Sequence, residues 1–96
     1  MLSLLLYVNG ERGLAVASAF LVEAIFDITL VSIVDTNMDN RISEFCVDNK
    51  IKHVRTTNPN NDTSIFKLKP DIAVIAGFPT RLSARLLSMS RLKTIN

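Results

Sequence analysis

Short runs of leucine and β-branched residues alternate with stretches of helical periodicity along the whole chain, and few folds accept that rhythm. Residues 4–8 (LLLYV) form a continuous apolar run that stops at Asn9-Gly10, the pattern of a strand buried on both faces. From Glu11 to about Ala24 the apolar positions Leu14, Val16, Ala17, Phe20, Leu21 and Ala24 recur at three and four residues, which predicts a helix. A second run at residues 28–34 (ITLVSIV) reaches Asp35-Thr36-Asn37, where cap-forming residues predict the start of a helix bearing Ile42, Phe45 and Cys46 on one side. Residues 51–54 predict a brief third strand, and residues 72–76 (IAVIA) a fourth.

The connections fit the same scheme. Residues 56–61 (TTNPNN) read as a polar loop, and residues 61–64 (NDTS) offer several caps for a short helix through Phe66. After the fourth run, Gly77-Phe78-Pro79 makes a turn into a helix over about 83–88, and residues 93–96 (KTIN) open a fifth strand. Strands alternating with helices at this spacing imply right-handed crossovers, hence a parallel sheet with helices on both faces. Ligands in such sheets bind beyond the carboxyl ends of the strands. The segments to weigh are therefore 9–13, 35–37, 56–61 and 77–82, together with whatever follows Asn96.

Composition narrows the function classes. A chain of 96 residues, 48 % hydrophobic and 21 % charged, is one small globular domain at most. With one Cys and one His, neither an intrachain disulfide nor a four-ligand zinc site can be assembled, so no metal is expected and a reducing, cytoplasmic setting is. The apolar start lacks a basic leader and a small-residue cleavage site, and Glu23 and Asp27 interrupt the next apolar stretch. Neither a secretion signal nor a membrane span is expected. Charge is unevenly spread: residues 1–48 hold two basic and seven acidic side chains, 2 − 7 = −5, and residues 49–96 hold nine basic and two acidic, 9 − 2 = +7, recovering the net +2. The basic half suits either an anionic partner or ordinary solvated helix faces, since no run of five like charges occurs.

Several chemistries find no support in the residues. The segment Asn9-Gly10-Glu11-Arg12-Gly13 stands where a dinucleotide fold carries G-x-G-x-x-G, with Asp35 in the place of a ribose-binding acid. Only two of the glycines are present, and Glu11 sets a carboxylate where a pyrophosphate would lie. Gly10 is instead expected to make the tight turn and Glu11 to meet the helix dipole. The carboxylate cluster a phosphoacceptor domain needs is missing, because the first strand ends in Val8-Asn9 and the third in Val54-Arg55. Cys46 reads as a buried small apolar residue and His53 as structural, with no spacing that favours nucleophilic hydrolysis.

Residues 69–96 carry the most specific pattern: Pro70-Asp71, then Ala76-Gly77-Phe78, Leu82-Ser83, Arg91-Leu92 and Ile95-Asn96. Ungapped over about 28 residues, the segment resembles the middle of the folate-dependent formyltransferases, including the methionyl-tRNA and glycinamide ribonucleotide groups. The resemblance implies a Rossmann-like three-layer α/β/α domain, with strand order 3-2-1-4 and the start of strand 5. It implies that Phe78, Pro79, Thr80, Arg81 and Leu82 hold the pteridine of 10-formyltetrahydrofolate, largely through main-chain groups, although Pro79 has no N–H to donate. Asn96 matches the family's catalytic Asn, whose amide stabilises the tetrahedral oxyanion. The catalytic His two residues later and the more distant Asp have no counterpart here.

The glycine-rich phosphate loop of the glycinamide group is not matched by residues 9–13, which favours the methionyl-tRNA or sugar-nucleotide branches. There the region after the first strand lies near the acceptor amine, making Gly10, Glu11 and Arg12 candidates for acceptor contact. The expectation is the amino-terminal, incomplete part of a formyltransferase domain, inactive alone, with an exposed apolar edge beside the fourth strand and self-association through it. The alternative is a small Rossmann-like binding or interaction module without chemistry of its own.

Overall fold

The computed structural model describes residues 1–96. The order is β1 (Leu2–Val8), α1 (Glu11–Leu21), β2 (Phe26–Ile33), α2 (Asp39–Asp48), β3 (Lys52–Thr56), a 3-10 turn (Pro59–Asn61), α3 (Thr63–Phe66), β4 (Ile72–Ala76), α4 (Ala84–Leu87) and β5 (Lys93–Ile95). All strand pairs are parallel and the sheet runs β3-β2-β1-β4-β5. This is a Rossmann-like α/β fold.

β1 is central and its side chains alternate between two cores. Leu4, Leu6 and Val8 meet Leu14 and Ala17 of α1 and Ile42 and Cys46 of α2 on one face. Leu5 and Tyr7 meet Ile65 of α3 and Leu86 of α4 on the other. Residues 4–8 are 0–1 % exposed, which explains an unbroken apolar run: both faces of the strand are covered. Burial also pushes the Cys46 thiol up to about 11, so it sits as an apolar side chain.

Where structure and sequence expectation part, the cause is local. Gly10 does not make a tight turn by virtue of being glycine, since its φ of −155° is extended backbone open to any residue. The required glycine is Gly13, where a Cβ would lie 2.5 Å from Val8 Cγ1 and 2.8 Å from the Ala76 carbonyl oxygen. Its absence lets α1 sit directly on the β1–β4 seam. Residues 35–37 do not cap α2; Met38 is its N-cap, without a side-chain bond. Asp35, at φ 58°, instead makes a left-handed turn whose N–H donates to Asp39 Oδ2 at 3.1 Å. Helix α2 ends in a Schellman pair, with Ile51 N–H to the Cys46 carbonyl and Lys50 N–H to the Val47 carbonyl, around Lys50 at φ 55°. Ile51 is thereby spent on the helix cap, and β3 begins at Lys52 and continues to Thr56.

The sheet edge beside β4 is formed by the short strand β5. β4 pairs with β5 from Ile72↔Lys93 to Val74↔Ile95, so the free edge belongs to β5 rather than β4. Leu87, Leu92 and Ile95 are exposed beside it. No helix is long and apolar enough to cross a membrane.

Candidate functional site at the carboxyl edge of the sheet

In the order β3-β2-β1-β4-β5 the chain leaves β1 toward β2 and leaves β4 toward β5. The carboxyl ends of β1 and β4 therefore flank a topological switch point, the place where open α/β sheets receive ligands. Asn9 follows β1, and its Oδ1 accepts the Ile33 N–H at 2.8 Å, fixing the β1 exit to β2. Beyond Asn9, nothing lies within 4 Å of where a Gly10 Cβ would stand. On the other side Gly77, at φ 64°, turns the chain out of β4.

The loop that follows is held by Asn60, a residue of the strand-end segment 56–61 to which the sequence alone assigned no role. The Asn60 side chain donates to the Arg81 carbonyl at 2.9 Å and accepts the Ser83 N–H at 2.7 Å. The amide thus pairs with the loop as a strand backbone would, setting it at both faces of one side chain. The signals of Asn60 in the sequence were the polar, turn-rich composition of residues 56–61 and their place after a strand end. Ser83 then caps α4 through Leu86 N–H, and Thr94 Oγ1 of β5 donates to the Leu87 carbonyl at 2.8 Å. At the opposite, amino end of the sheet Asp71 acts as a staple: its carboxylate accepts from Ser3 N–H and from Arg91 Nε. Those contacts hold the Asp71 carboxyl below its ordinary value, the Ser3 bond first.

Between loop, β4 and α4 lies a cavity of about 470 Å³ lined by Ile75, Phe78, Pro79, Thr80, Arg81, Leu82, Leu87 and Asn96. The five residues of the proposed pteridine loop and Asn96, separated in sequence by α4 and β5, converge on this one space. Leu82 is also buried in the core and anchors the loop. Arg81 is the cavity's only charged side chain. The three ion pairs of the molecule join Arg41 to Glu11, Arg55 to Asp39 and Arg91 to Asp71, which leaves Arg81 free to meet an anionic group.

The proposed acceptor-contact residues are placed apart from this cavity. Gly10 is the N-cap of α1, Arg12 is exposed on it, and Glu11 pairs with Arg41 across a groove between α1 and α2. That groove, on the other helix layer, is also lined by Glu44 and Asp48. None of the three lines the space around Asn96.

His53 lies on β3, at the far edge of the sheet from Asn96. Its Nε2 is 2.7 Å from Ser32 Oγ, and burial lowers its pKa, with Arg55 adding to the effect. The pairing is structural, since Ser32 is fully buried and the nearby Asp39 carboxylate is engaged by Arg55 Nε at 2.9 Å. No group of three or more His, Cys, Asp or Glu side chains is close enough to hold a metal ion. Comparison with protein-family models gives no match, and comparison with curated proteins gives none either.

Proposed function

We propose that this chain binds a reduced folate at the carboxyl edge of β4 and is the amino-terminal part of a 10-formyltetrahydrofolate-dependent formyltransferase, acting on an amine carried by methionyl-tRNA or an amino-sugar nucleotide. The observation that carries the reading is the convergence of Phe78, Pro79, Thr80, Arg81, Leu82 and Asn96 on one cavity. A flat heterocycle fits such a loop because main-chain groups read its polar edge while Phe78 and Leu82 supply apolar contact. Arg81, the only charged side chain of the cavity, suits an anionic group of the ligand. Asn96 would then donate its amide to the oxyanion formed when the acceptor nitrogen attacks the formyl carbon.

Transfer also needs a proton to reach the departing folate nitrogen, and an acid–base group for that step must stand within hydrogen-bond reach. The single histidine, His53, sits on the opposite edge strand bonded to Ser32. These 96 residues therefore bind without transferring on their own. A non-catalytic binding module is the second reading, and the same distance between His53 and Asn96 favours it.

Titration with 5-formyltetrahydrofolate, a stable reduced folate, while following backbone amides by NMR tests the assignment. Saturable shifts at Phe78, Thr80, Arg81 and Leu82 are expected; silence at those amides up to millimolar ligand would sink the folate reading. A formyl-transfer assay on the chain alone is expected to show no turnover.

A further inference from the structure

One polar atom inside the molecule has nothing to bond: the hydroxyl of Tyr7 is buried without a hydrogen-bond partner. Buried hydroxyls are nearly always satisfied, and an orphan costs stability that a phenylalanine in the same place would not. Tyr7 is 1 % exposed and stands one residue before the end of β1, at the switch point. It is the only tyrosine in the chain.

Its neighbours tie it to the cavity. In the sheet register Tyr7 pairs with Ile75, and its ring meets Phe78 edge to face at 5.5 Å between centroids. Ile75 and Phe78 are both walls of the cavity that holds Arg81 and Asn96. The tyrosine ring is thus one side chain removed from that space, behind a phenylalanine on a loop that starts at the left-handed Gly77.

We propose that the Tyr7 hydroxyl is a specificity-determining group of this cavity, paired by a polar edge atom of a flat heterocyclic ligand once Phe78 turns aside to stack on it. The inference rests on the reading of the cavity as a reduced-folate site. Burial pushes the phenol up to about 12, so it stays neutral at physiological pH and can either donate or accept. An idle orphan carries a cost with no return, whereas a hydroxyl that gains its bond only with ligand present favours the ligand that supplies it over an isosteric one that does not.

The test compares the wild-type chain with Tyr7→Phe, measuring thermal melting without ligand and affinity for 5-formyltetrahydrofolate. Tyr7→Phe is expected to melt at the same or a higher temperature, because no bond is lost, yet to bind about tenfold more weakly. A lower melting temperature would mean that the hydroxyl has an internal partner, and equal affinity would mean that it is idle; either result overturns the proposal and leaves the folate reading standing. Absence of binding by the wild-type chain overturns both. A second measurement does not depend on the variant: with tyrosine carrying 13C at Cζ, one resonance reports Tyr7. It is expected to move on saturation with ligand, and a stationary resonance in a chain that binds overturns the proposal.

Discussion

The two faces of the sheet are built by different means. On one, α1 and α2 run eleven and ten residues and bury a ten-residue apolar cluster. On the other, α3 and α4 are four residues each over a seven-residue cluster, and side-chain hydrogen bonds replace helix length. Asn58 and Asp62 cap their own turns through Asn60 and Ser64 N–H, Asn60 ties two loops, and Thr94 joins β5 to α4. Apolar burial is larger on the thick layer. The thin layer holds the cavity and the unpaired Tyr7 hydroxyl, so the larger apolar cluster and the candidate site lie on opposite faces.

The strongest way to break this contrast is to truncate matched core isoleucines, Ile42 on the thick side and Ile65 on the thin one, both 0 % exposed. Such substitutions by alanine cost about 2–5 kcal/mol, more where the surroundings cannot collapse into the space. Ile42→Ala is expected near the top of that range and Ile65→Ala near the bottom, as urea unfolding at neutral pH would show. Equal losses would mean that the short helices are as rigid as the long ones.

Gly13→Ala probes the thick layer's contact with the sheet. A methyl there runs into the Ala76 carbonyl and Val8, and backbone cannot swing aside as a side-chain tip does. Overpacking costs about 1–3 kcal/mol, offset by the ~1 kcal/mol that alanine gains over glycine inside a helix. A net loss of up to about 2 kcal/mol is expected in the same unfolding measurement, and a stabilised variant would show that α1 rides loosely on the seam.

Acid should loosen the thick layer at its carboxyl edge. The Arg55 guanidinium first, and then the Asp35 N–H, hold the Asp39 carboxyl down at about 2 from an ordinary 3.8. A group depressed in the folded state contributes stability that is complete above its unfolded value and is lost as pH falls through the folded one. Thermal stability is therefore expected to decline between about pH 4 and pH 2, with a shallower decline in Asp39→Asn, which has already lost the pair.

Gly13 also marks what the sequence could and could not disclose. Apolar period and turn chemistry located all five strands and all four helices, and residues 72–76 mark β4 to the residue, because those signals are local. Which of two glycines was indispensable was not local: it depended on how closely the β4 carbonyl of Ala76 approaches α1, more than sixty positions away. Asp35–Asn37 misled for a related reason, since the Asp39 carboxylate, held by Arg55, takes the Asp35 N–H into a left-handed turn and the helix starts after Met38. The site divides the same way. Residues 78–82 were legible as a strand-end loop, whereas the Asn60 bonds and the unpaired Tyr7 hydroxyl depend on long-range neighbours.

Asn60→Ala carries the smallest stability change and the sharpest test of the division between faces. Its two bonds to the Arg81 carbonyl and the Ser83 N–H are half exposed, and water can replace them in part, so a loss of about 1 kcal/mol is expected. The same change releases residues 78–82 from the α3 side while Leu82 stays anchored in the core. Amide hydrogen exchange at Thr80, Arg81 and Ser83 should therefore accelerate well beyond what the global loss explains, with little change in α1 and α2. If exchange rises uniformly over both layers, the two faces unfold as one unit and the thin layer has no independent freedom to accommodate a ligand.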